Sequence, residues 1–439
     1  MKRFYIATLV CFLIFGSLTI FAQEVEVEQR DFPRLYVVSE LHPFEQERAF
    51  WHDAYISLVG ADNPEWDFDD AAVMLRGRGN TSWAFFPEKR PFRFRLPSGE
   101  ARSMLGAGHE ARDWTLIANQ SDKSLMRNFS AYYLASQLDG MAWASVAFFV
   151  HVYINGEYYG VYQLSDQIEA GAGREQVTFN DDPRLSEFFL EMDWRAYRSG
   201  EEGVDFFRVN TGPDGIQGQS RQSGRDFLYE FRFPGGSIRT RDHVDYAQDF
   251  VTRASQAIRN RNWDEITAII DIDSFIDWYI VQEVYRNVDS GWSSVNLSIR
   301  GQGPNRRLYL GPVWDFDVAA NNTSWQSNQT PYGGLYVTRQ HYWFSNLMNT
   351  PEFAEAVTYR WNNHAKQAVI NTIARIEYMA AHYYDAFNRN FEAHDILGIY
   401  TWPNPPQVYE IDTFYGQVEY LTDFLYRRMM HLDETLNNN

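Results

Sequence analysis

The sequence is poor in cysteine, in positive charge and, after its first segment, in long apolar runs. Its 439 residues contain one cysteine, Cys11, which excludes disulfides and thiolate metal sites from the rest of the chain. There are 39 Lys and Arg against 58 Asp and Glu, and the formal net charge is −19. That charge disfavours a general nucleic-acid binder, although it leaves room for a local basic site that holds phosphate.

The N-terminal segment is where the apolar residues are concentrated. Lys2 and Arg3 precede an apolar run from Tyr5 to Phe21, and small and polar residues follow it. This pattern is typical of a secretory signal, here cleaved near Gln23. A retained membrane anchor is the competing interpretation, because the run is close to the shortest helix that spans a bilayer. We expect an exported chain, either secreted, periplasmic or at the cell surface.

The composition of the remaining chain predicts a large folded protein. Hydrophobic residues make up 45% of the sequence and aromatic residues 17%, which is enough to bury large cores and argues against global disorder. About 415 residues exceed what a single core usually organises, so two lobes or domains are expected.

The patterning divides the chain into a sheet-rich part and a mostly helical part. Short apolar runs broken by turn residues predict strands from Leu35 to Arg95, the clearest being Pro91–Leu96. A helix is predicted from Ser121 or Asp122 to Gly140, and a hairpin around Asn155-Gly156. Residues 170–240 are interpreted as a connecting region with short strands. Helical periodicity dominates from residue 242 onward.

A basic turn is the first stretch whose residues could take part in binding or catalysis. The segment "LRGRGNTSWAFFPEKRPFRFRL" combines small residues, whose backbone N–H groups can approach phosphate oxygens, with Lys and Arg on its flanks. A hairpin with solvated basic side chains remains the alternative. The turn contains Gly77, Gly79, Asn80, Thr81 and Ser82, and the flanks contain Arg76, Arg78, Lys89, Arg90, Arg93 and Arg95.

Two further stretches supply acids. Asp289 is expected where a helix gives way to a loop, with Asn296 on the strand-like segment that follows, although a capping role for Asp289 is equally consistent. In "GPVWDFDVAANN", an extended backbone would point Asp315 and Asp317 to the same side. Such a pair of hard oxygen ligands suits Mg²⁺ or Mn²⁺, while the alternative is a turn flanked by two acids.

Five motifs together resemble the spore-coat CotH kinase family. They are "RGRGNTSW…KRPFRFRL", "SDKSLMRNFSAYYLASQL", "VYINGEYYGVYQLSDQI", "NVDSGWSSVNLSIR" and "GPVWDFD", and the resemblance covers roughly residues 33–430. It implies an α+β, atypical protein-kinase-like fold of two lobes, with a nucleotide-binding lobe over 33–170 and a catalytic lobe over 171–435. It also implies ATP and Mg²⁺ or Mn²⁺ as cofactors, and phosphate transfer to Ser or Thr of a partner surface or coat protein.

The resemblance also implies roles for individual acids. Asp289 matches the position of the kinase catalytic base, and Asp315 matches the metal-binding acid of a DFG-like element. Asp317 and Asn296 would be supporting metal ligands. No His-Arg-Asp triplet precedes the catalytic loop, the metal motif lacks the glycine of DFG, and Asp166 stands where the family usually carries Glu.

Basic residues would hold the nucleotide in this scheme. Lys89, Arg93 or Arg95 would contact the phosphates, Arg127 would add a further contact, and adenine would lie near the strand that follows Gly160. The rival hypothesis is a non-catalytic pseudokinase that binds cell-wall or polysaccharide material. A glycoside hydrolase built on Asp315 and a partner carboxylate leaves the basic turn unexplained.

Overall fold

A computed structural model describes residues 27–210, 226–326 and 331–438. It is an α+β structure, and the sheet-rich N-terminal part and helix-rich C-terminal part predicted from the sequence are both confirmed. The predicted signal, residues 1–23, lies outside the described residues. None of the helices in the described residues combines the length and the apolar character needed to cross a bilayer.

Seven strands close into a barrel in the order β1-β2-β3-β4-β5-β7-β6. The neighbours are antiparallel except β1 and β6, whose parallel pairing closes the barrel. Alternate residues, such as Leu75 and Phe94, fill its interior. The strands are β1 (Arg34–Val38), β2 (His52–Val59), β3 (Phe68–Gly77), β4 (Phe92–Arg95), β5 (Asp113–Ile117), β6 (Ala147–Ile154) and β7 (Glu157–Asp166).

The predicted hairpin is confirmed, whereas the first predicted helix was too long. Asn155 and Gly156 join β6 to β7 with φ of 50° and 90°, as a type I′ turn requires. Two helices interrupt the barrel strands, α1 (Thr81–Phe85) and α2 (Arg127–Ala135). The second was expected to begin near Ser121, but Leu125 is left-handed with φ of 60°, and this conformation delays the start of the helix.

A second sheet of five strands has the order β12-β11-β8-β10-β9. The segment interpreted as a connecting region therefore contributes the centre of a sheet. Glu191 on β8 lies opposite Asn296 on β11 and Glu230 on β10, so these three side chains share one face. The strands are β8 (Phe188–Met192), β9 (Phe206–Asn210), β10 (Asp226–Phe233), β11 (Val295–Arg300) and β12 (Arg307–Leu310).

Ten helices complete the described chain. Almost every residue of α5 is buried, and the helix ends at Arg286, whose φ is 45°, directly before the loop that carries Asp289. One turn of π-helix, Trp361–Ala365, joins α8 to α9. The helices are α3 (Arg241–Asn260), α4 (Trp263–Ile269), α5 (Ile272–Tyr285), α6 (Tyr336–Gln340), α7 (Tyr342–Leu347), α8 (Pro351–Arg360), α9 (Lys366–His382), α10 (Tyr384–Ala393), α11 (Pro406–Tyr409) and α12 (Phe414–Asn437).

The barrel and the helical part pack against each other through aromatic side chains. Phe149 of β6 lies 5.1 Å from Phe129 of α2 and 4.9 Å from Phe387 of α10, measured between ring centroids. Asn390 of α10 accepts a hydrogen bond from the backbone N–H of Val161 at 3.1 Å. These contacts fix the two parts side by side, and polar residues of both approach one pocket.

Candidate active site

The pocket lies between the end of β3, α1, the segment after β5 and the residues that follow β12. Three residues singled out from the sequence, Ser82, Asp315 and Asp317, come together there although they are far apart in the chain. The lining consists of Arg78, Ser82, Phe86, Pro91, Ile117, Ala118, Asn119, Gln120, Ser121, Asn128, Tyr132, Trp314, Asp315 and Asp317.

The two acids of "WDFD" are neighbours for a different reason from the one predicted. The segment is not a strand, and Asp315 is left-handed with φ of 68°. Asn128 holds this turn, because its Oδ1 accepts a hydrogen bond from the Phe316 N–H at 2.8 Å. The side chains of Asp315 and Asp317 nevertheless reach hydrogen-bonding contact. The expectation of an extended backbone was wrong, although the two carboxylates do meet.

Burial and the neighbouring acid raise the pKa of Asp317 to about 7. Burial is the larger cause and Asp315 the second, while Ser121 opposes them by donating from Oγ to Oδ2 of Asp317 at 3.1 Å. Ser294 donates in the same way to Oδ2 of Asp315 at 3.0 Å. Two hydroxyls therefore orient a carboxylate pair whose mutual repulsion a bound cation would relieve.

The donor set fits a hard divalent cation that is shared with a ligand. Residues 27–210, 226–326 and 331–438 contain no group of three or more His, Cys, Asp and Glu placed to hold a metal ion. Asp315 and Asp317 supply two carboxylates, and Mg²⁺ commonly binds to one or two carboxylates while water and substrate phosphates complete its octahedron. The pocket therefore suits a cation that arrives with phosphate better than a cation caged by the protein.

Asp289 is tied to this pair by an amide that the sequence analysis did not select. The Oδ1 atom of Asn287 accepts from the Asp289 N–H at 3.1 Å, and its Nδ2 donates to the Asp315 carbonyl at 3.1 Å. Burial, followed by the charges of Asp315 and Asp317, raises the pKa of Asp289 well above its usual range. The three acids therefore form one electrostatically coupled cluster.

A second network supports the Asp289 loop from β8. Arg195 forms an ion pair with Asp193 at 2.7 Å, and both bond to the Ser293 hydroxyl, at 2.7 and 2.9 Å. The charge of Arg195 favours the ionised form of Asp289 and so opposes the effect of burial. No local motif marks Arg195, because its partner Ser293 lies 98 residues along the chain.

Arg78 is the basic residue that faces the acids. Its guanidinium lies over the Trp314 ring at 5.2 Å, and Trp314 stacks on Tyr132 with 5.4 Å between ring centroids. Burial lowers the pKa of Arg78, and Asp315 is the strongest influence in the other direction. Within the described ranges, no carboxylate lies within ion-pair distance of Arg78. Arg78 was expected as a flank of the turn but was not among the predicted phosphate ligands.

The glycines of the basic turn serve close packing. A Cβ on Gly77 would meet the Trp83 ring at 2.2 Å, and one on Gly79, whose φ is 79°, would meet the Ser82 hydroxyl at 2.2 Å. Asn80 begins α1, and its Oδ1 accepts a hydrogen bond from Arg48. Of the four turn residues proposed to bind a nucleotide, Ser82 lines the pocket and the other three shape the turn beneath it.

Lys89 and Arg127 are directed away from the pocket. Lys89 is fully buried and its Nζ donates to Asn390 Oδ1 at 2.7 Å, beside the Tyr162 ring. Burial lowers the pKa of Lys89 to about 7. Arg127 is also fully buried, forms an ion pair with Asp122 and donates from Nε to the Ala319 carbonyl at 3.1 Å. Both side chains join the barrel side of the molecule to the helical side.

Arg93, Arg95 and Asn296 also lie outside the lining. Arg93 and Arg95 both donate to Asp113, at 2.8 and 2.9 Å, and Arg93 reaches Glu169 at 3.0 Å. Asn296 donates from Nδ2 to the Pro312 carbonyl at 3.1 Å. That bond holds the segment leading to Asp315, so Asn296 supports the acid pair through the backbone.

The strand expected beside adenine is covered by α10. A Cβ on Gly160 would meet the side chains of Asn390 and His394, and neither Gly160 nor its neighbours on β7 belong to the pocket lining. Asp166, at the end of the same strand, accepts hydrogen bonds from His109 at 2.8 Å and Arg174 at 2.7 Å. Its carboxylate is committed to the barrel wall.

Most of the chain is similar to one known protein family. The sequence profile described as CotH kinase protein matches residues 75–432, which include the basic turn, the Asp289 loop and the acid pair. A search of curated proteins found none that matches the chain.

Proposed function

The chain belongs to the CotH kinase protein family, and from that premise we propose that it transfers the γ-phosphate of ATP to Ser or Thr of a partner protein. The observation that carries the proposal is that Asp315 and Asp317 line one pocket with Arg78, while Asp289 lies close enough to both acids for their charges to raise its pKa. Phosphoryl transfer depends mainly on positioning and on neutralising charge, which is what such a set of residues can do. The proposed architecture is an atypical kinase fold in which the barrel and the helical part serve as the two lobes.

Arg78 is proposed as the main phosphate ligand. A guanidinium gains most from a phosphate when it is poorly hydrated and lacks another anion, and Arg78 meets both conditions. Ser82 adds a hydroxyl on the same side of the pocket. Arg93, which is close enough to influence the pKa of Arg78, lies one strand further away and would act through the local potential.

Asp315 and Asp317 are proposed to hold Mg²⁺ or Mn²⁺ together with the phosphates. When bound, such a cation supplies positive charge to the transferring phosphoryl group. The contribution of this chain is the orientation of the two carboxylates, which Ser121, Ser294 and Asn128 fix. Asp315 is the direct ligand in this scheme and Asp317 the second.

Asp289 is proposed to accept the proton of the acceptor hydroxyl or to orient that hydroxyl. Only the ionised carboxylate can take up this proton, whereas burial and the acid pair favour the protonated form. Arg195 opposes that effect, and neutralising the charge of Asp315 and Asp317 would remove a large part of it. A divalent cation bound by the acid pair would thereby prepare Asp289 for the acceptor.

Export and the class of partner extend the proposal. The basic and apolar start of the sequence supports secretion, after which the acceptor would be a surface or coat protein with accessible Ser or Thr. Fractionation of cells that express the full chain tests this. We expect to recover the chain outside the cytosol and free of membrane, shortened by about 23 residues. An intact chain in the cytosol contradicts export.

The second candidate is a non-catalytic protein that binds wall or polysaccharide material. A group of aromatic side chains beside α1 favours it: Phe85 stacks on Trp402 at 4.7 Å, Trp325 meets Trp402 edge-on at 5.6 Å, and both Phe85 and Trp325 are exposed. Such rings suit sugar faces as well as nucleotides. A rise in melting temperature with ATP and Mg²⁺ supports the kinase, because a ligand that binds the native state stabilises it; no rise supports the second candidate.

The test of the transferase is incubation of purified protein and candidate acceptors with γ-labelled ATP and Mn²⁺ or Mg²⁺. We expect label on protein Ser or Thr, and its loss in Asp289→Asn and Asp315→Asn. Asp249→Asn is the matched control, since this exposed acid on α3 is 63% accessible and is paired only with Arg253 among the ion pairs of the described chain. Labelling that persists in both site variants contradicts the proposal.

A further inference from the structure

Arginines gather around one tryptophan on the outside of the barrel, next to the pocket but not in it. The guanidiniums of Arg76, Arg93 and Arg95 lie over the Trp51 ring at 4.8, 5.7 and 4.9 Å from its centroid. Arg48 is close enough to influence the pKa of Arg76. In a chain with a net charge of −19, such a concentration of positive charge needs an explanation.

The strand register creates this cluster. Arg76 on β3 lies directly opposite Arg93 on β4, and Arg95 follows two residues later on the same face. Like charges placed opposite each other across a ladder destabilise a sheet. The arrangement therefore lowers stability unless an anion occupies the space between the guanidiniums.

Nearby carboxylates of the described chain neutralise part of the cluster but form no ion pair with Arg76. Asp113 is shared by Arg93 and Arg95, and Glu169 pairs with Arg93 and also with Arg174. No carboxylate of the described ranges comes within ion-pair distance of Arg76, and its Nε is buried without a hydrogen-bond partner. The cluster thus retains one guanidinium that is available to a ligand.

We infer that Arg76 and Arg95, which lie over the Trp51 ring, form with the neighbouring Arg48 a second anion site that binds the phosphate monoester of an already phosphorylated acceptor protein. The inference rests on the proposed function, because that phosphorylated side chain is its product. A guanidinium can bind two phosphate oxygens through two parallel N–H bonds, and the indole ring holds the planar guanidiniums in place. A single phosphate suits the site better than a long polyanion, since the net charge of −19 on the chain repels an extended one.

The second anion site lies close enough to the pocket to position the acceptor protein. Arg76 lies on β3 and Arg78 directly follows Gly77, the last residue of that strand, so the Cα atoms of the two arginines are at most about 7 Å apart. A phosphorylated side chain bound at Arg76 would bring neighbouring hydroxyls of the same acceptor towards Asp289 and the acid pair. The site would therefore favour repeated phosphorylation of one acceptor segment.

Fluorescence anisotropy of labelled peptides tests the site without catalysis. The probe is a Ser-containing peptide with one phosphoserine, compared with its unphosphorylated form, in EDTA and without nucleotide. We expect the phosphorylated peptide to bind about tenfold tighter or better, Arg76→Gln to remove most of that difference, and Arg76→Lys to retain part of it. Arg253→Gln, an exposed arginine of α3, is the matched control and should bind as wild type does.

The remaining outcomes separate this site from the transfer reaction. Asp289→Asn should bind the phosphopeptide as wild type does, so the site stands even if no variant transfers phosphate. Equal affinity for the two peptides overturns the inference, as does a preference that survives Arg76→Gln in a protein with an unchanged melting temperature. One-for-one displacement of the phosphopeptide by ATP with Mg²⁺ also overturns it, because the peptide would then occupy the nucleotide pocket.

Discussion

The two walls of the pocket carry opposite charge and hold it in different ways. On the barrel wall Arg78 directly follows β3, and its backbone N–H extends the ladder by donating to the Pro91 carbonyl at 3.1 Å. On the opposite wall Asp315 and Asp317 sit on a loop, and Asn287 links that loop to the neighbouring loop that carries Asp289. The arginine is placed by a regular ladder and the acids by individual hydrogen bonds, so the acid wall is the more easily disturbed.

A pair of arginines near the acid wall shows the same contrast within one residue type. Arg127 has its charge satisfied by Asp122 and by the Ala319 carbonyl, whereas Arg78 rests on an indole ring without a carboxylate at ion-pair distance in the described chain. Arg127 therefore stabilises the fold, and Arg78 is kept available for a ligand.

The largest effect on stability is expected from Arg127→Met. Removing one partner leaves Asp122 as a buried unpaired charge, which typically costs about 3–5 kcal/mol. Denaturant unfolding measures it, and Asp122→Asn combined with Arg127→Met should recover part of the loss. Arg78→Met should leave the free energy of unfolding unchanged or raised. Equal losses in the two single variants would remove the distinction between the arginines.

Arg78→Ala should have the largest effect on nucleotide affinity among the basic residues. A charge-assisted hydrogen bond contributes about 1.5–3 kcal/mol, so calorimetry with ATP and Mg²⁺ should show affinity weakened by about 10- to 100-fold. Arg78→Lys keeps the charge but loses the planar guanidinium, so its affinity for ATP should lie between those of wild type and Arg78→Ala. Unchanged affinity in Arg78→Ala would show that the phosphates bind elsewhere.

A smaller effect should appear in the pH dependence of the metal-free protein. The pKa of Asp317 rises from 3.8 to about 7 on folding, so between about pH 4 and 7 the folded state retains a proton that the unfolded state has lost. The free energy of unfolding contributed by this group therefore falls as pH rises through that window. Melting curves of wild type and Asp317→Asn should diverge there, and saturating Mg²⁺ should abolish the divergence by replacing the proton.

The smallest effect on affinity for ATP is expected from Lys89→Met. Its ammonium is engaged by Asn390 and lies outside the pocket lining, so affinity for ATP should stay within about twofold. Burial depresses the pKa of Lys89 to about 7, hence wild type should gain stability relative to Lys89→Met as pH rises from about 7 to 10.5. A tenfold loss of affinity would instead make Lys89 a phosphate ligand.

Local pattern predicted the barrel wall well and the acid wall in part. Alternation located β4, and Asn155-Gly156 located the turn between β6 and β7, because both depend on neighbours in sequence. The meeting of Asp315 and Asp317 was anticipated on the assumption of an extended backbone, whereas the hydrogen bond from Asn128 imposes a turn. That bond spans 188 residues and leaves no local trace.

Long-range pairing explains the remaining differences. The segment around Glu191 has weak periodicity and was interpreted as a connection, yet it pairs with β11 to form the centre of the second sheet. Arg93 and Arg95 were interpreted as phosphate ligands because the sequence does not reveal that Asp113, on the next strand, accepts from both. Arg78 was passed over because its selection depends on Trp314, far along the chain.

The most direct measurement of the central claim is a comparison of binding with transfer in two acid variants. Asp289→Asn should bind ATP with Mg²⁺ within about threefold of wild type by calorimetry, yet lose at least about 100-fold of its transfer of labelled phosphate, as expected for a residue that acts on the acceptor. Asp315→Asn should lose both binding and transfer. If instead Asp289→Asn loses nucleotide binding while Asp315→Asn retains it, the division of labour between the two acids is contradicted.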